Sequence, residues 1–122
     1  MAKVLVIEDN PANMTLAAFL LQSAGHTVLR ATDAEAGLML ARGEHPQLIL
    51  MDIQLPGIDG LAATRLLKAG DTTRTIPVIA LTALAMKGDE ERIRAAGCDG
   101  YIAKPMRYQE FLAAIASQLE QA

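Results

Sequence analysis

Tryptophan is absent from this 122-residue chain, and two Phe and two Tyr are its only aromatics. A core must therefore be built from Ala, Val, Ile, Leu and Met. Cysteine is nearly absent too. The single Cys98 excludes an internal disulfide and a thiolate metal cluster, and fits a reducing, cytoplasmic compartment. A basic excess is missing: 11 Lys and Arg face 14 Asp and Glu, for a formal net charge of -3. That excludes the electrostatic footprint of a nucleic-acid binder. No apolar run approaches the roughly 18 residues of a membrane span. Met1-Ala2-Lys3 leads directly into a strand-like run, with no signal-peptide pattern. What is present is a hydrophobic fraction of 52%, enough for one real core, and a length that fits a single domain over 1–122.

Four short runs are apolar at nearly every position: Val4-Leu5-Val6-Ile7, Leu48-Ile49-Leu50-Met51, Val78-Ile79-Ala80-Leu81 and Tyr101-Ile102-Ala103. Thr27-Val28-Leu29-Arg30-Ala31 is a weaker fifth. Continuous rather than alternating apolarity predicts strands buried on both faces, as in a parallel sheet. Helical patterns separate the runs. Asn10-Pro11 reads as a cap and first helical residue, followed by Leu16, Phe19 and Leu20 at helical spacing, with Gly25 as the stop. Asp33 caps a second helix with Ala34, Leu38 and Ala41 inward and Gly43 at its end. Asp59 caps a third through Ala63, Leu66 and Leu67 to Gly70. A fourth is expected from about Leu84 to Ala96. A fifth is expected from about Arg107 to Leu119, with Phe111, Leu112, Ile115 and Leu119 at helical spacing. Five strand–helix repeats imply right-handed crossovers and an α/β doubly wound, flavodoxin-like (βα)5 sheet; the order 2-1-3-4-5 is the natural one.

In that architecture ligands sit beyond the carboxyl ends of the strands. Strand one ends in Glu8-Asp9, strand three in Asp52, strand four in Thr82, and strand five runs into Lys104-Pro105. Three carboxylates would face one ammonium on a single rim, and like charges this close resist joint ionisation. A divalent cation brings the sum to zero. Oxygen-only ligands suit Mg²⁺, with Mn²⁺ as a substitute, better than zinc, and His26 and His45 fall elsewhere in the pattern. A phosphoryl donor could then enter, and Asp52, alone at the central strand end, is the best nucleophile.

At these residues the sequence resembles bacterial response-regulator receiver domains. The resemblance is carried by Val4-Leu5-Val6-Ile7-Glu8-Asp9-Asn10, the stretch from Leu50 through Asp52 and Pro56-Gly57 to Asp59-Gly60, Ala80-Leu81-Thr82-Ala83, and Ala103-Lys104-Pro105. Met86 to Ile93 further resembles the stand-alone DivK type. The resemblance implies a two-component phosphorelay switch that is not an enzyme, beyond promoting its own phosphorylation and dephosphorylation. Asp52 would be the phosphoacceptor. Asp9, Asp52 and the backbone carbonyl of Gln54 would hold the metal, with Glu8 acting through water. Thr82 and Lys104 would contact the phosphoryl group, and the bond before Pro105 is usually cis. Tyr101 would turn inward as Thr82 shifts. Gln54, Ala83, Leu84 and Met106 would tune the site. Leu84 cannot orient a water, so either a long-lived phosphate or removal by a partner is expected.

The implied partners are a sensor histidine kinase, a histidine phosphotransferase or both, at the first helix and the loop after Asp52, and a downstream protein at the face of helix four, strand five and helix five. Neither nucleic acid nor membrane is expected as a partner. Monomer and phosphorylation-dependent dimer both stay open. With no output domain after the fifth helix, output is expected to be a protein contact. Two other readings are a receiver cut from a hybrid kinase and a Mg²⁺-dependent phosphohydrolase. The second is weakened by Gln54, which stands where such enzymes need a second acid. Some features have plainer readings. Asp33, Asp59 and Asn10 read as caps, Cys98 as a small buried residue, and Asp89-Glu90-Glu91-Arg92 as a solvated helix face.

Overall fold

A computed structural model describes residues 2–83 and 87–120. Its strands are β1 (Lys3–Ile7), β2 (Thr27–Ala31), β3 (Leu48–Asp52), β4 (Val78–Thr82) and β5 (Gly100–Ala103). Its helices are α1 (Pro11–Ser23), α2 (Ala34–Glu44), α3 (Gly60–Ala69), α4 (Lys87–Ala95) and α5 (Tyr108–Glu120). All pairings are parallel, as the alternation predicts, and the sheet order is β2-β1-β3-β4-β5, the order expected of a flavodoxin-like fold.

Why the strands read as continuous apolar runs is now clear. Leu5, Ile7, Ile49 and Met51 point into one core layer, which α2, α3 and α4 cover with Leu38, Leu67 and Ile93. Val4, Val6, Leu48 and Leu50 point the other way, beneath Leu21 of α1 and Phe111 and Ile115 of α5. The pleat sends alternate residues to opposite faces, so a strand covered on both sides must be apolar throughout. Edge strand β2 is only partly covered and carries Thr27 and Arg30 outward.

Caps fix the helix starts. Asn10, Asp33 and Asp59 each accept a backbone N–H three residues on, at 3.0, 2.8 and 2.8 Å. Gly60 opens α3 directly against the Asp52–Ile53 backbone, and a Cβ there would overlap the Asp52 carbonyl. The Gly60 N–H donates to the Ile53 carbonyl at 3.2 Å. This contact ties the start of α3 to the end of β3.

Three expectations about the helices need correction, and the start of the fourth helix lies outside the described residues. Leu16 and Phe19 do not face the core: they are 38% and 65% exposed, and α1 buries Met14, Ala17, Ala18, Leu20 and Leu21 instead. That helix is apolar around most of its circumference, so spacing alone does not choose a face. Leu66 likewise points outward. Gly43 does not end α2; the helix continues to Glu44, and His45 takes the left-handed conformation at φ 49°. The fourth helix is described only from Lys87, and Leu84 to Met86 lie outside the described residues.

Candidate functional site

Four strand ends meet at the carboxyl rim of the sheet. β1 runs into Glu8, fully buried, and then exposed Asp9. β3 ends at Asp52, 3% exposed. Ligand oxygens of Glu8, Asp9 and Asp52 all lie within 4.8 Å of one another. Lys104, just beyond β5, places Nζ 3.0 Å from Glu8 Oε1 and 3.2 Å from Asp52 Oδ2. The Asn10 N–H donates to Glu8 Oε2 at 3.2 Å, and the Gln54 N–H donates to Asp52 Oδ1 at 2.9 Å. An open cleft of about 570 Å³ above these groups is lined by Asp9, Asn13, Asp52, Gln54, Ala83 and Lys104, among others.

The electrostatics show an overloaded site. Burial pushes the Glu8 carboxyl up to about 7, and its contact with Asp52 adds to the rise. Lys104 and the Asn10 N–H pull the other way but do not win. Burial opposes the charge on Lys104, yet the close ion-pair contact with Glu8 and the charges of Asp52 and Glu8 outweigh it, and its pKa is raised. Glu8 Oε1 sits at ion-pair distance from Lys104 but accepts no aligned hydrogen bond from the protein. A buried carboxylate oxygen with spare lone pairs, beside two further carboxylates, fits a hard divalent cation that ligates through oxygen.

The remaining predicted residues fall as follows. Thr82 is buried at the end of β4, one residue past Leu81, the cross-strand neighbour of Asp52. Its carbonyl accepts the Lys104 N–H at 2.7 Å, so the hydroxyl-bearing and ammonium-bearing residues share one backbone link. Ala83 is exposed on the cleft wall, and its small side chain leaves the entrance wide. The Lys104–Pro105 bond is cis. Met106 lies in the core layer under α1 and α5 rather than on the cleft. Leu84 lies outside the described residues. Tyr101, half-buried on β5, packs against the layer containing Ile93, and its hydroxyl donates to Glu90 Oε2 at 3.4 Å. Cys98 is buried, its thiol pushed up by burial, with Sγ 3.8 Å from Thr64 Oγ1.

Two features escaped the sequence reading. One is an apolar groove of about 640 Å³ on α1, lined by Pro11, Ala12, Thr15, Leu16 and Phe19. Pro11 lines both this groove and the acidic cleft, so the two are neighbours. The other is the Tyr101–Glu90 contact, which joins residues on different elements and leaves no periodic trace.

Comparison with known proteins agrees with this geometry. Residues 4–116 match the response regulator receiver domain family. The chain is 50% identical over 116 residues to the polar-differentiation response regulator DivK of Brucella ovis, covering 95% of this chain and 94% of that protein. The receiver domain of sensor histidine kinase PA1611 from Pseudomonas aeruginosa is 36% identical and superposes with a TM-score of 0.91 over 98% of both chains. In that structure a magnesium ion is coordinated in the active-site cleft. The chemotaxis response regulator CheY4 of Vibrio cholerae shares the fold, at a TM-score of 0.92 and 24% identity over 97% of this chain and 98% of that one.

Proposed function

Because this chain belongs to the response regulator receiver domain family, and so to the phosphorylation-activated switches of two-component signalling, we propose that Asp52 is its phosphoacceptor. The observation that carries this is the setting of Asp52. It is a buried carboxylate at the central strand end, held at one oxygen by Lys104 and at the other by the Gln54 N–H, opposite a second buried carboxylate with spare lone pairs.

In the proposed reaction an Asp52 carboxylate oxygen attacks the phosphorus of a phosphohistidine in line. The phosphorus–nitrogen bond breaks, and its electron pair returns to the donor imidazole. Asp9, Asp52 and the Gln54 backbone carbonyl would hold Mg²⁺, or Mn²⁺ in its place, with Glu8 acting through water. The bound cation supplies charge neutralisation for the phosphoryl oxygens. Lys104 supplies a second positive charge, already within reach of Asp52. The Thr82 hydroxyl takes a phosphoryl oxygen, and Tyr101 follows it inward, a population shift biased by the new charge-assisted contacts. Residues 1–122 act as one receiver unit. The chain is a signalling regulator rather than a classical enzyme, and it promotes only its own phosphorylation and dephosphorylation. Leu84 offers no group to orient a hydrolytic water, so the phosphate is long-lived, and Leu84→Glu should hasten its loss.

The phosphodonor is a sensor histidine kinase or a histidine phosphotransferase. The α1 groove supports this: an apolar helix flank seated on Leu16 and Phe19 would carry a donor residue across Pro11 to Asp52. Output passes to a downstream protein through the α4–β5–α5 face, as a monomer or a phosphorylation-dependent dimer. Among the described residues no helix is long and apolar enough to cross a membrane, and we assign the chain to the cytoplasm.

The test is treatment with acetyl phosphate and Mg²⁺, followed by mass spectrometry. One phosphoryl group should appear on Asp52. None added, or phosphate retained by Asp52→Asn, would sink the assignment. A second reading is a receiver module of a hybrid kinase, favoured by the likeness to the PA1611 domain over nearly its whole length. The boundaries of the native gene separate the two. A phosphohydrolase reading would require steady phosphate release from small phosphoesters, which Gln54 in place of a second acid argues against.

A further inference from the structure

The stretch Asp89-Glu90-Glu91-Arg92 reads as a solvated helix face, but one carboxylate in it has a specific partner. Tyr101 Oη donates to Glu90 Oε2 at 3.4 Å. The other oxygen of the same group, Glu90 Oε1, lies 3.5 Å from Arg94 Nε, one helical turn on. Asp89 does not share in this, since it pairs with Arg92 at 3.2 Å. Glu90 thus bridges a phenol on β5 and a guanidinium on α4, and Arg94 limits the directions its carboxylate can take. Tyr101 is half-buried, its ring packed on the layer that includes Ile93.

We propose that Glu90 is a latch that holds Tyr101 outward and sets how often the unphosphorylated switch visits its active arrangement. This rests on the reading of Tyr101 as the switch residue. The physical argument is one of differential contact. With the arrangement that places the hydroxyl on Glu90 assigned as the outward state, a ring that turns toward Thr82 leaves the Glu90 carboxylate, so this contact stabilises only the outward state. A ligand or contact shifts an equilibrium only by the difference it makes between the two states. At 3.4 Å, to a carboxylate that is 42% exposed, the contact is long for an O–H···O bond and ranks with a surface ion pair. Its loss should shift the equilibrium about two- to fivefold. Linkage then requires that a protein biased toward the active arrangement also take up phosphate more readily.

The experiment is a double-mutant cycle on the rate of Asp52 phosphorylation by acetyl phosphate with Mg²⁺. Glu90→Ala should raise the rate about two- to fivefold, Glu90→Gln less, and Arg94→Ala least. In a Tyr101→Phe background, which lacks the hydroxyl, Glu90→Ala should add nothing. No acceleration overturns the latch. An equal acceleration with Phe at 101 also overturns it, because the effect would then come from the helix and not from the hydroxyl. A second measurement needs no phosphodonor. In fluorotyrosine-labelled protein with Tyr108→Phe, the H₂O-to-D₂O shift of the Tyr101 fluorine signal should fall in Glu90→Ala as the ring leaves solvent. An unchanged isotope shift overturns the proposal. Absence of any phosphate on wild-type Asp52 would instead sink the receiver assignment, which this second measurement does not depend on.

Discussion

The two ends of the sheet use the same side-chain chemistry to opposite effect. At the amino end, Lys68 Nζ reaches Asp99 Oδ2 at 3.0 Å and the Ile76 carbonyl at 2.9 Å. Asp99 Oδ2 also accepts the Val78 N–H at 2.8 Å. One ammonium meets one carboxylate, and the strand start is satisfied. At the carboxyl end, three carboxylates cluster and one ammonium reaches only two of them, Glu8 and Asp52, while Glu8 Oε1 accepts no aligned hydrogen bond. The first arrangement fastens α3 to β4 and to the turn before β5. The second is incomplete without a cation or a proton. An ion pair on this fold is therefore structural or functional according to whether its charges balance locally.

Breaking the balanced end should show first in stability. Asp99→Ala leaves the Val78 N–H without its acceptor and Lys68 without its counter-charge, and should cost about 1–3 kcal/mol in denaturant unfolding, with phosphate uptake retained. A loss of uptake at unchanged stability would erase the contrast.

The unbalanced end should show next, as a pH effect. The unfolded chain releases the Glu8 proton near its ordinary value of 4.5, whereas the folded protein holds it to about 7. The folded state binds more protons in that window. Stability of the metal-free protein should therefore fall as pH rises from about 4.5 to about 7, by about 1–2 kcal/mol once solvent screening is allowed for. Mg²⁺ should reverse the trend and release a proton on binding at pH 6 but not at pH 8.5. Calorimetry in two buffers of different ionisation enthalpy reads this directly.

Asp9→Asn should sharpen the point. It should weaken Mg²⁺ binding about tenfold while leaving the metal-free fold as stable or slightly more so, since it relieves like-charge crowding. Thermal unfolding with and without Mg²⁺ measures both.

The smallest effect belongs to the amino end. His26 Nδ1 accepts the Ala2 N–H at 3.1 Å, and burial, with the N-terminal charge, lowers its pKa. Its contribution is fully present above the unfolded value near 6.5 and fades as pH falls through the lower folded value. The two ends thus titrate in opposite senses, and His26→Gln should remove only the acid-side loss.

Much of this was legible in the sequence because two-sided burial writes itself as unbroken apolar runs. Those runs end at Glu8, Asp52, Thr82 and Lys104, which is why the site could be read before the structure. β2 was fainter because an edge strand is only partly covered. The inward face of α1 was not legible. With apolar residues on nearly every side, spacing cannot say that Phe19 faces out and Ala17 in. The Lys68–Asp99 pair, separated by 31 positions, and the Tyr101–Glu90 bond arise only when distinct elements are packed together. Asp99 by itself reads as a turn residue.

Gly60 carries a consequence for anyone redesigning this chain. At a helical position alanine normally outperforms glycine, by about 1 kcal/mol. A designer working from helix propensity would choose alanine there. Such a protein would gain a better helix former and lose the close seat of α3 on the Asp52 carbonyl. Because the overlap is with backbone rather than a movable side chain, folding and phosphate uptake should both select glycine at this position. A single missing methyl group serves the packing of the helix and the shape of the site together.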